Sequence, residues 1–191
     1  MSPTADRLLI ERPGLEPAVL ELVEGDITKV RVDVIVNAAN SALAGGSGVD
    51  GAIHRAAGPQ LERELGSLRG CPTGGAVMTG SGDLASRGIR KIVHAVGPIW
   101  KGGTAGEPAL LESAYRKAFQ LADESRARSV AFPAISAGVY GTPFPSVAEI
   151  GLRTVRDSLR TGASVERAVF VLYGVSAYGV FAAALKALRE G

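Results

Sequence analysis

The sequence predicts an α/β fold, a three-layer sandwich with a mixed, mostly parallel sheet between layers of helices. Three observations carry that expectation. Apolar, β-branched runs alternate along the chain with segments of helical periodicity. Two of those runs, Val32-Asp33-Val34-Ile35-Val36 and Val169-Phe170-Val171-Leu172, are almost continuously apolar, as strands covered on both faces are. The length of 191 residues suffices for one sizeable core and is short for two.

Taken in order, residues 1–17 carry Pro3, Pro13 and Pro17 among mixed charges and read as an N-terminal extension that is partly disordered or adds an edge strand. Residues 18–191 read as the single domain. Strands are expected near 18–23, 31–37, 75–79, 90–96, 128–134 and 167–173, and helices near 49–69, 108–126, 145–160 and 177–189. Between them, Lys101-Gly102-Gly103-Thr104-Ala105-Gly106 reads as a flexible surface loop. No internal repeat or low-complexity linker is visible. Residues 168–185, AVFVLYGVSAYGVFAAAL, are uncharged and near the minimum length of a membrane span. A β-branched first half, the break at Gly174 and Ser176, and the continuation into Lys186 and Arg189 favour strand, turn and helix instead.

Charge excludes some classes of function. With 21 basic and 19 acidic residues and no Lys/Arg stripe interleaved with aromatics, nucleic-acid binding is not indicated. One cysteine, Cys71, forms no intramolecular disulfide and no cysteine metal cluster, so no metal site is expected. Nothing at the N-terminus resembles a secretory signal, and a cytoplasmic chain without membrane partners or cofactors is expected.

Ligands of open α/β sheets gather beyond the carboxyl ends of the strands. The second expected strand ends in Asn37-Ala38-Ala39-Asn40 and runs into GGSGVDGAIHRAAG, residues 45–58, while the fifth ends in Pro133-Ala134-Ile135-Ser136-Ala137-Gly138-Val139-Tyr140-Gly141. Glycine lets backbone amides approach an anion, and a helix N-terminus adds about half a positive charge. Two such loops flanking one crevice suit a diphosphate. Gly46, Gly48 and Gly51 match the GxGxxG dinucleotide fingerprint by letters only, because they follow an asparagine-rich turn and enclose Asp50. A nicotinamide-dependent oxidoreductase is therefore a remote alternative, and no GxxxxGK[ST] is present.

Gly25-Asp26-Ile27-Thr28, Val36-Asn37-Ala38-Ala39-Asn40, the glycine segment and Ile135-Ser136-Ala137-Gly138-Val139-Tyr140-Gly141 together resemble the successive motifs of a macrodomain of the MacroD type, over residues 18–188. The resemblance implies a six-stranded sheet and a cleft for ADP-ribose. It places Asp26 and Ile27 at the adenine, with the Asp26 carboxylate accepting from the amino group; the competing reading is an Asx turn. Tyr173 matches the aromatic over the base, the competing reading being a core tyrosine. Gly46, Ser47, Gly48, Val49, Gly51 and Ile53 form the first phosphate loop, and Ser136, Ala137, Gly138, Val139 and Tyr140 the second, with Tyr140 against the distal ribose. Asn40 matches the asparagine that bonds that ribose, and Asn37 fixes the turn. Ser47 and Ala137 depart from the usual glycine and threonine. His54 and His94, the only histidines, read as structural residues; Cys71 has no evident partner for nucleophilic chemistry.

A carboxylate inside an anion cradle needs a reason, and Asp50 is where the functional readings divide. As a hydrolase the chain would use Asp50, with Asn40, to direct water at the distal ribose. Its substrates would be mono-ADP-ribosyl esters on acidic side chains of proteins and O-acetyl-ADP-ribose, with a monomer expected. Within that site the alternative is that Asp50 caps its helix and a substrate phosphate activates the water. As a non-catalytic ADP-ribose reader the chain would have no use for Asp50.

Overall fold

The computed structural model describes residues 6–190. Its sheet has seven strands: β1 (Arg7–Arg12), β2 (Leu15–Glu24), β3 (Val34–Ala38), β4 (Ala76–Gly80), β5 (Lys91–Ala95), β6 (Ser129–Phe132) and β7 (Arg167–Leu172). They lie in the order β1-β2-β7-β6-β3-β5-β4. The pairs from β2 to β5 are parallel, and the outer pairs β1·β2 and β4·β5 are antiparallel. Five helices flank the sheet: α1 (Gly48–Ala57), α2 (Pro59–Gly66), α3 (Glu107–Glu124), α4 (Phe144–Thr161) and α5 (Val175–Glu190).

The central strands are mostly apolar because each face meets its own core. Val34 and Val36 of β3 point to the side of α3, α4 and α5, with Leu111, Val147 and Phe181. Ile35 points to the other side, with Ile53 of α1 and Leu61 of α2. Residues 168–185 divide as strand β7, a turn at Tyr173-Gly174 and helix α5, and no helix among the described residues is long and apolar enough to cross a membrane.

Three expectations change. The sheet has seven strands rather than six, because the extension supplies β1, an edge hairpin strand; its first five residues lie outside those described. Gly14 makes the hairpin turn at φ 74°, and the register slips between Ile10 and Arg12, opposite the stretch holding Pro17, so the missing proline N–H falls in a bulge. The helix expected over 49–69 is two helices. Gly58 at φ 76° ends the first and Pro59 opens the second, in keeping with each residue's backbone preference. The expected flexible loop at 101–106 is ordered around Glu107, whose buried carboxylate accepts from the amides of Lys101 (2.7 Å), Gly103 (3.2 Å) and Ala105 (2.6 Å).

Candidate functional site

From β3 the chain runs outward to β4 and β5, then crosses back through α3 to β6 and β7 on the other side. Open α/β sheets bind ligands where the strand order reverses in this way. Here that point holds a cleft of about 370 Å³ between the carboxyl ends of β3, β6 and β7 and the first turn of α1. The volume suits a small molecule.

One wall is the start of α1. Gly45 (φ 74°) and Gly48 (φ 59°) take left-handed backbone to turn the chain into the helix. A side chain on Gly51 would collide with Gly46 O, so glycine there lets the helix close on its loop. Ser47 stands at the N-cap, yet its hydroxyl makes no capping bond. The amides of Gly48, Val49 and Asp50 are thus the unpaired donors of a helix N-terminus, and their residues line the cleft.

The facing wall is the segment after β6. The Tyr115 hydroxyl, buried in an aromatic cluster with Phe132 and Phe170, donates to Pro133 O (3.0 Å) and accepts from the Ile135 amide (2.9 Å), which fixes the exit of the strand. Ser136 sits at φ 66°, a strained conformation for a non-glycine residue. Short turns close from Ala137 N to Ala134 O (3.2 Å), Gly141 N to Gly138 O (3.0 Å) and Thr142 N to Ser136 O (2.9 Å). The amides of Ser136, Gly138, Val139 and Tyr140 donate to no acceptor among the described residues. Two rows of unpaired amides therefore border one cleft.

Asp50 is 7% exposed and lines the cleft from the third position of α1. Its Oδ1 accepts from Asn37 Nδ2 at 2.7 Å and lies 3.3 Å from His54 Nε2, one helical turn on. Its Oδ2 is on the side of Gly46, 3.1 Å from where a Cβ on that glycine would stand. The carboxylate accepts from side chains and no backbone amide, so it does not cap its helix. His54, read from sequence as structural, is brought beside Asp50, with its ring against Gly45. Asn40 also lines the cleft. Its Nδ2 donates to Gly45 O (2.8 Å) and its Oδ1 accepts from Ala44 N (3.2 Å), leaving one N–H and one lone pair over.

The other expected contacts divide. Gly46, Ser47, Gly48, Val49, Ser136, Ala137, Gly138, Val139, Tyr140 and Tyr173 line the cleft. Tyr173 is 88% exposed at its rim and is not a core tyrosine. Asp26, Ile27, Gly51 and Ile53 do not line it. The side chains of Ile27 and Ile53 are in the hydrophobic layer beneath α1, which leaves only their backbone for a ligand. Asp26 caps a short 3₁₀ turn, Ile27–Lys29, by accepting from Thr28 N (2.9 Å) and Oγ1 (2.8 Å). Burial pushes its carboxyl up, but the Thr28 bonds, Lys29 and Arg87 outweigh that and hold it below its ordinary value. It belongs to the same end of the sheet as Tyr173, since the adjacent Gly25 N–H bonds Leu172 O at 2.9 Å.

Sequence reasoning missed Gly97, Phe144 and Ala177 in the lining, and did not assign ligand contacts to Val171 and Leu172 at the end of β7 or to the apolar residues of the two motifs, which also line it. Gly97 lies two residues past the end of β5, a position where a ligand of an α/β sheet is expected, and a side chain there would collide with Ser136 Oγ and stand 2.6 Å from Ile135 Cγ2. His94 is fully buried, as a core histidine should be. No cluster of potential metal ligands occurs among the described residues.

Comparison with known proteins agrees with this geometry. The family model described as Macro domain matches residues 36–151. A macro domain-containing protein of Caldanaerobacter subterraneus is 49% identical over 175 residues, covering 90% of this chain and 98% of its own length. The O-acetyl-ADP-ribose deacetylase of Escherichia coli is 50% identical over 158 residues, 81% of this chain and 88% of the enzyme. Among solved structures, the Oceanobacillus iheyensis macrodomain with ADP superposes with a TM-score of 0.86 at 38% identity, covering 96% of this chain and 97% of that one. With its mixed sheet and flanking helices, and with relatives that span nearly its whole length, the chain belongs to the macrodomain family.

Proposed function

We propose that the cleft binds ADP-ribose and that the protein hydrolyses esters of its distal ribose: O-acetyl-ADP-ribose and mono-ADP-ribosyl groups on acidic side chains. The observation that carries this reading is the pairing of two rows of free amides with a carboxylate that lines the cleft, whose Oδ1 is engaged and whose Oδ2 accepts no hydrogen bond among the described residues. The amides of Gly48–Asp50 and of Ser136–Tyr140 hold the diphosphate. Tyr173 stacks on the adenine, and Asp26 meets its amino group with Oδ2. Tyr140 and Asn40 hold the distal ribose. Asp50 Oδ2 accepts one proton from a water as the water oxygen attacks at the distal ribose; the ester C–O bond breaks, the carboxylate leaves with the bonding pair, and the other water proton stays on the sugar hydroxyl. The proton on Asp50 then returns to solvent. The relatives named as O-acetyl-ADP-ribose deacetylases support a hydrolase over a reader at about 50% identity.

The experiment is incubation of the purified chain with O-acetyl-ADP-ribose and, separately, with a protein mono-ADP-ribosylated on glutamate, with detection of free ADP-ribose. Wild type should release it from both, and Asp50→Ala should slow release about 10²–10⁴-fold, the span of positioned general-base catalysis. Tight binding of ADP-ribose with no release from either substrate would make the chain a reader.

A further inference from the structure

Behind Asp50, three buried polar side chains cross a sheet face that is otherwise apolar. Asn37 on β3 and His94 on β5 are cross-strand partners. Thr79 on β4 is two residues along from Val77, the partner of His94, and so shares its face. All three belong to the layer of Ile35, Ile92 and Val169, and none is more than 5% exposed. Polar groups at such depth cost stability unless each is bonded.

The bonds among them have one consistent direction. Thr79 Oγ1 donates its single proton to Gly80 O at 2.9 Å, so at its 3.0 Å contact with His94 Nε2 it accepts, and Nε2 carries the ring proton. Nδ1 is then a lone pair and accepts from Asn37 Nδ2 at 3.1 Å. The second Nδ2 proton goes to Asp50 Oδ1 at 2.7 Å. Burial, with a smaller effect of His54, pushes the His94 pKa down to about 3, so the ring is neutral near pH 7. Asn37 Oδ1 is left buried with no partner. The flipped amide would aim that oxygen at a carboxylate and an imidazole lone pair together, a worse arrangement than one orphan acceptor.

We infer that His94 and Asn37 are positioning residues: the neutral Nε2–H imidazole sets the Asn37 amide, and the amide pins Asp50 Oδ1 so that Oδ2 is presented to the cleft. Thr79 sets the tautomer. Neither His94 nor Thr79 lines the cleft, so they act on the reaction only through this chain. The inference rests on the proposal that Asp50 is the base, and its test separates the two.

The test uses the full chain with two substitutions at one position. His94→Leu removes the acceptor for Asn37 at similar volume, whereas His94→Asn can return an oxygen near the place of Nδ1. His94→Leu should lower kcat about 10- to 100-fold, the scale of a misplaced catalytic group, with KM and the ADP-ribose Kd within about twofold. His94→Asn should recover most of kcat. Independently of turnover, ¹⁵N NMR of wild type should show His94 as the neutral Nε2–H tautomer at pH 7, and the Asn37 side-chain protons should be protected from exchange in wild type and lose protection in His94→Leu. An Nδ1–H or charged ring, unprotected Asn37 protons, or an unchanged kcat in His94→Leu would overturn the inference, as would a loss that falls equally on kcat and ADP-ribose affinity. If wild type releases no ADP-ribose, the hydrolase reading fails alone, and the tautomer and exchange results decide whether the chain of bonds positions Asp50.

Discussion

Gly97→Ala tests whether the second amide row is held by contact with the segment that follows β5. The added methyl would collide with Ser136 Oγ and stand 2.6 Å from Ile135 Cγ2, where ordinary carbon contacts begin near 3.5 Å. Tyr115 fixes the Pro133–Ile135 backbone from the core side, so the strain falls on Ser136 and the residues after it. Overpacking of this kind costs about 1–3 kcal/mol. At about 2–4 °C per kcal/mol for a domain of this size, the melting temperature should drop by roughly 2–12 °C. A shift of about 1 Å in the loop also misaligns its amides for a phosphate. Losing one such charge-assisted bond costs about 1.5–3 kcal/mol, so ADP-ribose should bind about 10- to 150-fold more weakly by calorimetry. Adding Ser136→Gly removes the colliding hydroxyl and suits the φ of 66°, and should restore part of both losses. Unchanged ADP-ribose affinity in Gly97→Ala, with the stability loss present, would show that the loop does not hold the ligand.

Three other outcomes follow from particular groups. Arg12 is 6% exposed and donates to three carbonyls, Glu16 O (2.7 Å), Gly162 O (3.4 Å) and Val165 O (3.1 Å), so Arg12→Met should lower the unfolding free energy by about 1–3 kcal/mol in denaturant titration, leaving ADP-ribose affinity intact. Tyr173→Ala should weaken ADP-ribose binding by about 1–3 kcal/mol through lost stacking while the melting temperature stays put, because the ring is exposed. His94 has a folded pKa of about 3 against an ordinary 6.5, so between those values the unfolded chain holds a proton that the folded chain refuses. Its contribution is fully present above about pH 6.5 and is lost as pH falls, by about 2 kcal/mol at pH 5; His94→Leu should flatten that part of the stability profile.

Legibility of the sequence followed the range of the interactions involved. Val34–Val36 and Val169–Leu172 announced central strands because each needs apolar residues on both faces, and the structure covers both. The glycine segment announced a cleft wall because its residues are contiguous. Part of what escaped was local, and part depended on partners far along the chain. Gly58-Pro59 is a local stop signal that the longer helical periodicity overrode, whereas the pairing of β1 with β2 decides for an edge strand where the N-terminal residues alone left disorder open. Asn37, Thr79 and His94 are up to 57 residues apart and meet only through strand register. Read singly, Asn37 was a turn residue and His94 a core residue; their bonds give them a joint position behind Asp50. His54 reads from the sequence as a structural residue one helical turn after Asp50, and that turn puts its Nε2 3.3 Å from Asp50 Oδ1.

On the proposed reading, a negative charge among amides that hold phosphate is tolerable only if the amides outweigh it. Two unit charges about 6 Å apart at an effective dielectric near 20 repel by about 3 kcal/mol. Seven unpaired amides border the cleft, Gly48, Val49, Asp50, Ser136, Gly138, Val139 and Tyr140. Each bond from such an amide to an anion contributes about 1.5–3 kcal/mol, so two offset the repulsion of one phosphate charge. The helix dipole that attracts phosphate also attracts Asp50, which reduces the conflict further. Asn37 and His54 hold Oδ1, away from the open side, and Oδ2 is left for a water. Removing the carboxylate should therefore relieve a modest repulsion and cost the ligand no bond. Asp50→Ala should bind ADP-ribose as tightly as wild type or up to about tenfold more tightly, even as ester turnover collapses. Calorimetry with ADP-ribose measures this directly. A variant that binds more than about tenfold more weakly would mean that Asp50 supports the ligand site itself, and the loss of turnover could then no longer be assigned to the water.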